Sequence, residues 1–287
     1  MNADLQRSRG DAFLALHHAD TPLLLANAWD VVSARLFEEA GYAAIATTSA
    51  GVAWAAGYPD GERIPRDEML AAVERIARAV SIPVTADLEA GYARTAQDVA
   101  ETTRLAIGAG AVGMNLEDAM AAPPRPGVDP LYAMDVAVER VAAARAAADA
   151  TGVRFVINAR TDLFLKQLGE ADERLARAIE RANAYRAAGA DCLFVPGVHD
   201  AETIRALASG IHGPLNILAR ATTPPLAELA QLGVARVSTG PGTMLAALTA
   251  AARSSRELLA SGRFEAMLQS TLSFPTVNAL VSSAREA

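Results

Sequence analysis

Carboxylates at the ends of two strand-like segments are the residues most suited to chemistry in this 287-residue sequence. One β-branched run ends in Asp87 and Glu89, and the next run, 112–116, is followed by Glu117 and Asp118. Residues i and i+2 of a strand point to the same face, so Asp87 and Glu89 leave their strand on one side. Such close carboxylates repel unless a cation, an arginine or a shared proton compensates them. Grouped carboxylates suit a hard cation such as Mg²⁺; alternatively, they are surface acids that cap the following helices.

Short apolar segments alternate with helical segments along most of the chain, and this alternation predicts the fold. The predicted strands are 23–27, 43–47, 83–87, 112–116, 154–158, 192–195, 215–218 and 236–239, with a long loop from 48 to Pro65. Apolar strands separated by helices indicate a parallel sheet buried on both faces. Eight such units in about 250 residues predict a (β/α)₈ TIM barrel. The alternative is an open doubly wound sheet, but no G-x-G-x-x-G opens a helix here.

The two ends of the chain predict helices outside the barrel. Residues 4–19 form an amphipathic N-terminal segment, and the tail combines a helical segment near 263–272 with a break at Phe274-Pro275. We expect residues 1–287 to form a single barrel domain. The C-terminal helical region, 243–287, is apolar enough to pack on a partner subunit.

Composition excludes several classes of protein. The chain is 52% hydrophobic, has a net charge of −7 and contains one cysteine, Cys192. One cysteine excludes an internal disulfide and a multi-cysteine zinc site. The lack of a basic block argues against nucleic acid as a partner. No apolar run is long enough to span a bilayer, and the first residues are too polar for a signal peptide, so we expect a cytoplasmic protein that does not bind membranes.

A TIM barrel carries its chemistry at the C-terminal ends of its strands, and this rule selects a short list of candidates. They are Asn27 and Asp30; Thr47, Thr48 and Ser49; Asp87 and Glu89; Glu117 and Asp118; Arg160 and Asp162; Asn216 and Arg220; and the turn 240–242. Acids, hydroxyls and a cation occur together on this list. An anionic, oxygen-rich substrate that bridges Mg²⁺ and Arg160 would account for all three kinds of side chain.

These positions resemble the isocitrate lyase / phosphoenolpyruvate mutase superfamily. The resemblance rests on four segments in order: 51–60 (GVAWAAGYPD), 82–92 (IPVTADLEAGY), 115–118 (NLED) and 159–162 (ARTD). It implies a metal-dependent barrel that acts on 2-oxo acids or their enols. It also implies a homodimer or homotetramer that exchanges a C-terminal helix between subunits.

Residue by residue, the resemblance assigns roles to the strand ends. Asp60, Asp87, Glu89 and Glu117 fall where the family holds Mg²⁺ (or Mn²⁺), directly or through waters, although the family usually has Asp in place of Glu89. Thr47, Thr48 and Ser49 fall on the loop that binds the substrate carboxylate. Arg160 falls on the substrate-binding arginine and is a catalytic candidate together with Asp60 and Glu117; alternatively, it pairs with Asp162 or Glu117. Asn216 is a further substrate-binding candidate.

Departures from the family pattern bear on the reaction. The loop 119–130 lacks the Cys of the isocitrate and methylisocitrate lyases and the Lys of the mutase, and its one cation is Arg125. We expect this loop to close over the substrate. The resulting hypothesis is a Mg²⁺-dependent lyase that cleaves a C–C bond of a 2-oxo acid or a malate- or isocitrate-like acid. The alternatives are C–P chemistry, as in phosphonopyruvate mutase or hydrolase, and a non-catalytic metabolite-binding protein.

Overall fold

A closed barrel of eight parallel strands forms the centre of the molecule, as the sequence predicts. The computed structural model describes residues 2–121, 129–269 and 272–282. The strands follow one another around the barrel in chain order, and β1 pairs with β8 to close it. They are β1 Leu23–Ala28, β2 Ile45–Thr47, β3 Val84–Asp87, β4 Gly113–Glu117, β5 Val156–Arg160, β6 Cys192–Phe194, β7 Leu215–Leu218 and β8 Val234–Ser238.

Helices surround the barrel and extend beyond it at both ends of the chain. They are α1 Ala3–Leu16, α2 Val31–Glu39, α3 Ser49–Ala55, α4 Arg66–Ala79, α5 Ala96–Gly108, α6 Met134–Asp149, α7 Ala171–Ala187, α8 Ala201–Gly210, α9 Leu226–Gln231, α10 Gly242–Ser261, α11 Glu265–Leu268 and α12 Phe274–Ser282. No helix in the described ranges is long and apolar enough to cross a membrane.

The barrel interior changes from apolar to polar along its axis. At the N-terminal end, Phe13 of α1 packs in one buried cluster with Leu23, Leu25 and Val156. Toward the C-terminal end, polar residues pair in register across β3, β4 and β5. Asn115 pairs with Asp87 on one side and Asn158 on the other, and Glu117 pairs with Arg160. The interiors of such barrels are mostly filled by branched apolar residues. Polar residues at one end therefore mark the end at which chemistry is expected.

Two local features refine the sequence prediction. The long loop predicted before Pro65 is wrong in part, because α3 occupies 49–55 and is capped by Thr48, whose side chain accepts from Gly51 N–H. The break at Phe274-Pro275 is the start of α12, where a proline in the first turn removes no intrahelical hydrogen bond. In this chain α12 packs on α2, and Arg35 Nε donates to the Leu280 carbonyl at 3.1 Å.

Candidate active site

Asp87 occupies the last position of β3 and is held from three directions. The Thr47 hydroxyl oxygen accepts from Asp87 N–H at 2.9 Å. Of the carboxylate oxygens, Oδ2 accepts from Ser49 N–H at 3.1 Å and Oδ1 accepts from Asn115 Nδ2 at 3.2 Å. Asp87 and its three partners are all buried. These bonds fix the carboxylate and leave each of its oxygens with a second lone pair that a cation could use.

Glu89 is held by the loop that precedes α4. Both of its carboxylate oxygens accept from Glu62 N–H, at 3.0 and 2.9 Å, and Glu62 in turn accepts from Tyr92 N–H at 2.7 Å. Glu62, Glu89 and Tyr92 all have a positive φ, which costs a non-glycine residue some free energy. Burial, and then the nearby charge of Asp60, raises the pKa of Glu89 to about 8. Among the described residues, no arginine or lysine forms an ion pair with this carboxylate.

Asp60 lies at the exposed rim of the same site. The Gly61 backbone and the Ser49 side chain act to lower the pKa of its carboxyl group. Partial loss of water and the charge of Asp87 nevertheless raise the pKa of Asp60. Asp60, Asp87 and Glu89 thus interact with one another across the loops that follow β2 and β3.

Arg160, the last residue of β5, joins two carboxylates. Its Nη1 lies 2.6 Å from Glu117 Oε2, and its Nε and Nη2 donate to Asp162 at 2.6 and 3.0 Å. Burial alone would lower the pKa of Arg160, but the charges of Glu117 and Asp162 outweigh it and raise that pKa. Burial raises the pKa of Glu117 well above its usual value, and Arg160 opposes that shift. The ion-pair interpretation of Arg160 is therefore confirmed for both predicted partners.

Asp118 belongs to a buried network behind the site. Its Oδ1 accepts from Asp162 N–H at 2.9 Å, and its Oδ2 accepts from the Tyr185 hydroxyl at 2.8 Å and from Arg181 Nη1 at 3.2 Å. Arg181 also donates to the Tyr132 carbonyl at 3.0 Å. Asp118 thereby supports the backbone of Asp162, which in turn holds Arg160.

The acidic side chains suit a hard cation bound largely through water. In the part of the chain that the structure describes, Asp60, Asp87 and Glu89 form no ion pair with an arginine or lysine. Within the same residues, no three Asp, Glu, His or Cys side chains are close enough to enclose a metal. Mg²⁺ commonly takes one or two carboxylates and keeps several waters, so these two observations are compatible. The metal-ligand assignments stay predictions.

The remaining predicted residues are placed by hydrogen bonds within the protein. Asn216 is completely buried, and its Oδ1 lies 3.4 Å from the Ser238 hydroxyl. Asn27 Oδ1 accepts from Thr239 N–H and Gly240 N–H, both at 2.9 Å, so these two N–H groups of the turn before α10 are already bonded. Substrate binding by Thr47, Thr48, Ser49, Arg160 and Asn216 is untested and stays a prediction. The predicted contact of Arg125 with substrate lies outside the described residues.

Several residues of the site were not singled out from the sequence. Asn115 lies two positions before Glu117 and so on the same face of β4, a signal that strand alternation could have provided. Glu62, Arg181 and Tyr185 gave no local signal. Their contacts join residues far apart in the chain.

Comparison with known proteins identifies the family. The phosphoenolpyruvate phosphomutase family profile matches residues 13–259. The 2-methylisocitrate lyase of Escherichia coli K12 is 37% identical over 221 residues, which cover 76% of this chain and 72% of that enzyme. Two solved structures from Burkholderia cenocepacia J2315 are also similar. One, provisionally a phosphonomutase, is 48% identical (TM-score 0.81) and covers 86% of this chain and 98% of its own.

The second Burkholderia structure, provisionally a lyase/mutase, is 40% identical (TM-score 0.89) and covers 97% of this chain and 98% of its own. The family match spans the barrel and every strand that carries the acidic residues and Arg160. The chain is therefore an enzyme of the isocitrate lyase / phosphoenolpyruvate mutase superfamily, whose members are carbon–carbon lyases and mutases.

Proposed function

We propose that this enzyme is a Mg²⁺-dependent lyase that cleaves a C–C bond of a 2-oxo acid or of a substituted malate- or isocitrate-like acid, with Mn²⁺ as a possible substitute. The observation that carries the proposal is the contrast between two parts of the site. Within the described residues, Asp60, Asp87 and Glu89 form no ion pair with a cation, whereas Arg160 is fixed by Glu117 and Asp162. In that part of the chain, one side of the site carries uncompensated acids and the other carries a fixed guanidinium.

Asp87 is our first candidate to hold the ion, with Asp60, Glu89 and Glu117 contributing directly or through water. Both oxygens of Asp87 are oriented by hydrogen bonds, so little freedom is lost when an ion binds. A bound Mg²⁺ would supply Lewis-acid stabilisation of the negative charge that develops on the substrate oxygen as the bond breaks. Family membership supports a metal, since superfamily members are typically metal-dependent.

Arg160 would bind a substrate carboxylate. Asp162 engages its Nε and Nη2, whereas Glu117 engages Nη1, so a substrate carboxylate can replace Glu117 without disturbing the contact with Asp162. Because the guanidinium is largely enclosed and is held at two edges, it loses little entropy when it binds an anion. It would stabilise charge on the distal or departing carboxylate.

C–P chemistry is the second candidate. The 48% identical Burkholderia protein, provisionally a phosphonomutase, favours it. The missing loop lysine counts against it, and the 2-methylisocitrate lyase of E. coli supports C–C cleavage. The two reactions need the same enolate-stabilising site and differ in the group that leaves.

We also propose that the protein works in the cytoplasm as a homodimer or homotetramer. The chain has one cysteine, Cys192, and therefore no internal disulfide, as is usual for proteins of a reducing compartment. The region 242–274 exposes large apolar side chains, namely Leu245, Leu248, Leu259, Phe264, Met267, Leu268, Leu272 and Phe274. Such a patch is typical of a protein interface.

A substrate panel with and without chelator tests the proposed reaction. The full chain is incubated with Mg²⁺ and with isocitrate, 2-methylisocitrate, substituted malates or oxaloacetate, and pyruvate and glyoxylate are detected. We expect one class of acid to give product, EDTA to stop turnover and added Mg²⁺ to restore it. Turnover that resists EDTA contradicts the proposal. Phosphorus NMR of phosphonopyruvate turnover would establish the second candidate, and tight oxalate binding without any product would indicate a non-catalytic protein.

A further inference from the structure

Arg236 of β8 is an arginine enclosed inside the barrel. Its side chain is completely buried and is the largest of the fully buried side chains in the described part of the chain. Among the same residues, no carboxylate forms an ion pair with it, and its Nε has no hydrogen-bond partner. Burial lowers the pKa of Arg236, and the charge of Asp87 acts in the opposite direction. Burying a charge without a direct partner costs several kcal/mol in general, so its position calls for a reason.

The environment on the α1 side of Arg236 supplies no negative charge. Arg236 Nη1 lies 3.4 Å from His17 Nε2, and its guanidinium carbon lies 5.9 Å from the centre of the Phe13 ring. His17 Nδ1 lies 2.8 Å from the Phe13 carbonyl oxygen, which can only accept. The proton of a neutral imidazole is therefore on Nδ1, and Nε2 accepts from Arg236. These contacts seal the end of the barrel without neutralising the arginine.

The contact on the opposite side leads to the acidic site. Asn115 Oδ1 accepts from Arg236 Nη2 at 3.4 Å and from Asn158 Nδ2 at 2.7 Å. Two donors on one atom fix that atom as the amide oxygen, so Nδ2 of Asn115 must face the other way. There it donates to Asp87 Oδ1 at 3.2 Å. The Asn115 amide therefore connects a buried cation, Arg236, to a candidate metal ligand, Asp87.

We propose that Arg236 is a positioning residue of the active site, which acts through the Asn115 amide to orient and stabilise the Asp87 carboxylate. The proposal deepens the proposed function and depends on its metal site. It accounts for a charge that the stability of the barrel does not require. Replacing a buried charge by an apolar side chain of similar volume is often neutral or stabilising. Residues that orient a metal ligand, by contrast, typically contribute 10–100-fold to metal affinity.

Mn²⁺ binding to the full-length protein tests this chain of contacts. Free Mn²⁺ is measured by electron paramagnetic resonance for the wild type, Arg236→Met, Asn115→Leu, the double variant and the conservative Arg236→Lys. We expect each apolar single variant to weaken Mn²⁺ binding by about tenfold or more. Because both act on Asp87 by one route, the double variant should be no weaker than the weaker single variant. Arg236→Lys keeps a donor and a charge and should lose less affinity. Arg205→Met, at an exposed position of α8, should bind Mn²⁺ like the wild type.

Thermal unfolding in EDTA provides a readout that does not involve metal. We expect Arg236→Met to unfold at the wild-type temperature or above it, although it binds Mn²⁺ more weakly. If both single variants bind Mn²⁺ with wild-type affinity, or if the losses add strictly in the double variant, the inference is wrong and the proposed function still stands. If Arg236→Met does not fold, Asn115→Leu and Arg236→Lys still decide between these outcomes. A wild-type protein that binds no Mn²⁺ overturns the proposed function, and the inference with it.

Discussion

Arg160 Nη1 lies 2.6 Å from Glu117 Oε2, across two adjacent strands whose Cα atoms at these positions are paired in register. The contact places the Arg160 guanidinium against Glu117, one of the predicted metal ligands. Glu117 thus has two possible partners, the arginine and an ion. We expect substrate and metal to bind together, because a substrate carboxylate on Arg160 would release Glu117 toward the cation.

Arg160→Lys is the most direct test of this arrangement. An ammonium cannot hold Asp162 with two parallel bonds and still reach a second carboxylate. We expect kcat/KM to fall by about 100-fold or more, as when a charge-stabilising donor is removed. Circular dichroism should show an intact fold. Arg104→Lys, in an exposed pair with Glu101, is the matched control and should keep wild-type kinetics. Activity within about threefold of wild type would contradict a substrate-binding role for Arg160.

Asp87→Asn tests the metal site. The change keeps the size of the side chain and removes the charge that we assign to the ion. We expect the Mg²⁺ concentration for half-maximal activity to rise by about tenfold or more, with little change in the free energy of unfolding measured in EDTA. Asp67→Asn, at an exposed position of α4, should leave that concentration unchanged. An unchanged Mg²⁺ requirement in Asp87→Asn would remove Asp87 from the site.

The sequence predicted the barrel because its signal is local and repeated. Apolar strands alternate with helices eight times, and each unit can be recognised alone. The sequence does not indicate the helix α3 because Ser49–Ala55 is only 7 residues long and contains an internal glycine, which lowers helix propensity. Its capping residue, Thr48, is also a predicted substrate ligand.

The candidate site was predicted in part for a similar reason. Asp87, Glu89, Glu117 and Arg160 end strands, and strand ends are recognisable in the sequence. The residues that orient them lie elsewhere in the chain. Arg236 is 121 positions from Asn115, and a buried arginine in an apolar strand has no distinct local pattern. Which acid pairs with Arg160 also depends on side-chain geometry that spacing alone does not give.

Asp118→Asn should destabilise the protein without removing a group that reaches the substrate. The carboxylate of Asp118 is the buried partner of Arg181 and also accepts from Tyr185. Removing its charge leaves Arg181 buried and poorly compensated. We expect the free energy of unfolding to fall by about 3 kcal/mol, measured by urea denaturation. Tyr185→Phe removes one hydrogen bond from the same carboxylate and should cost about 1 kcal/mol. Equal costs for the two variants would show that the ion pair contributes little.

Leu259→Glu tests the proposed oligomer. Leu259 is 89% exposed on α10, within the apolar region 242–274. A buried glutamate at an apolar interface costs several kcal/mol, so the assembly should dissociate. Size-exclusion chromatography with light scattering should give a dimer or tetramer for the wild type and a smaller species for the variant. Leu5→Glu, on α1, is the control and should keep the wild-type mass. A monomeric wild type would contradict the proposal.

His17 should make the stability of the barrel depend on pH. Burial, and then the positive charge of Arg236, lowers the pKa of His17 from 6.5 to about 3. The folded protein holds this imidazole neutral, whereas the unfolded chain accepts a proton near pH 6.5. Its contribution to stability is therefore complete above about pH 6.5 and is lost progressively as the pH falls toward 3.

The His17→Gln variant isolates this contribution. Glutamine occupies similar space and does not titrate, so the variant should lack the pH-dependent part of the stability. We expect the difference in the free energy of unfolding between wild type and variant to shrink by about 2.5 kcal/mol from pH 7 to pH 4.5. Urea denaturation at a series of pH values measures this difference. His212→Gln, at an exposed position, should follow the wild-type curve throughout. Parallel curves for wild type and His17→Gln would contradict the prediction. They would show that the pKa of His17 is not lowered in the folded protein.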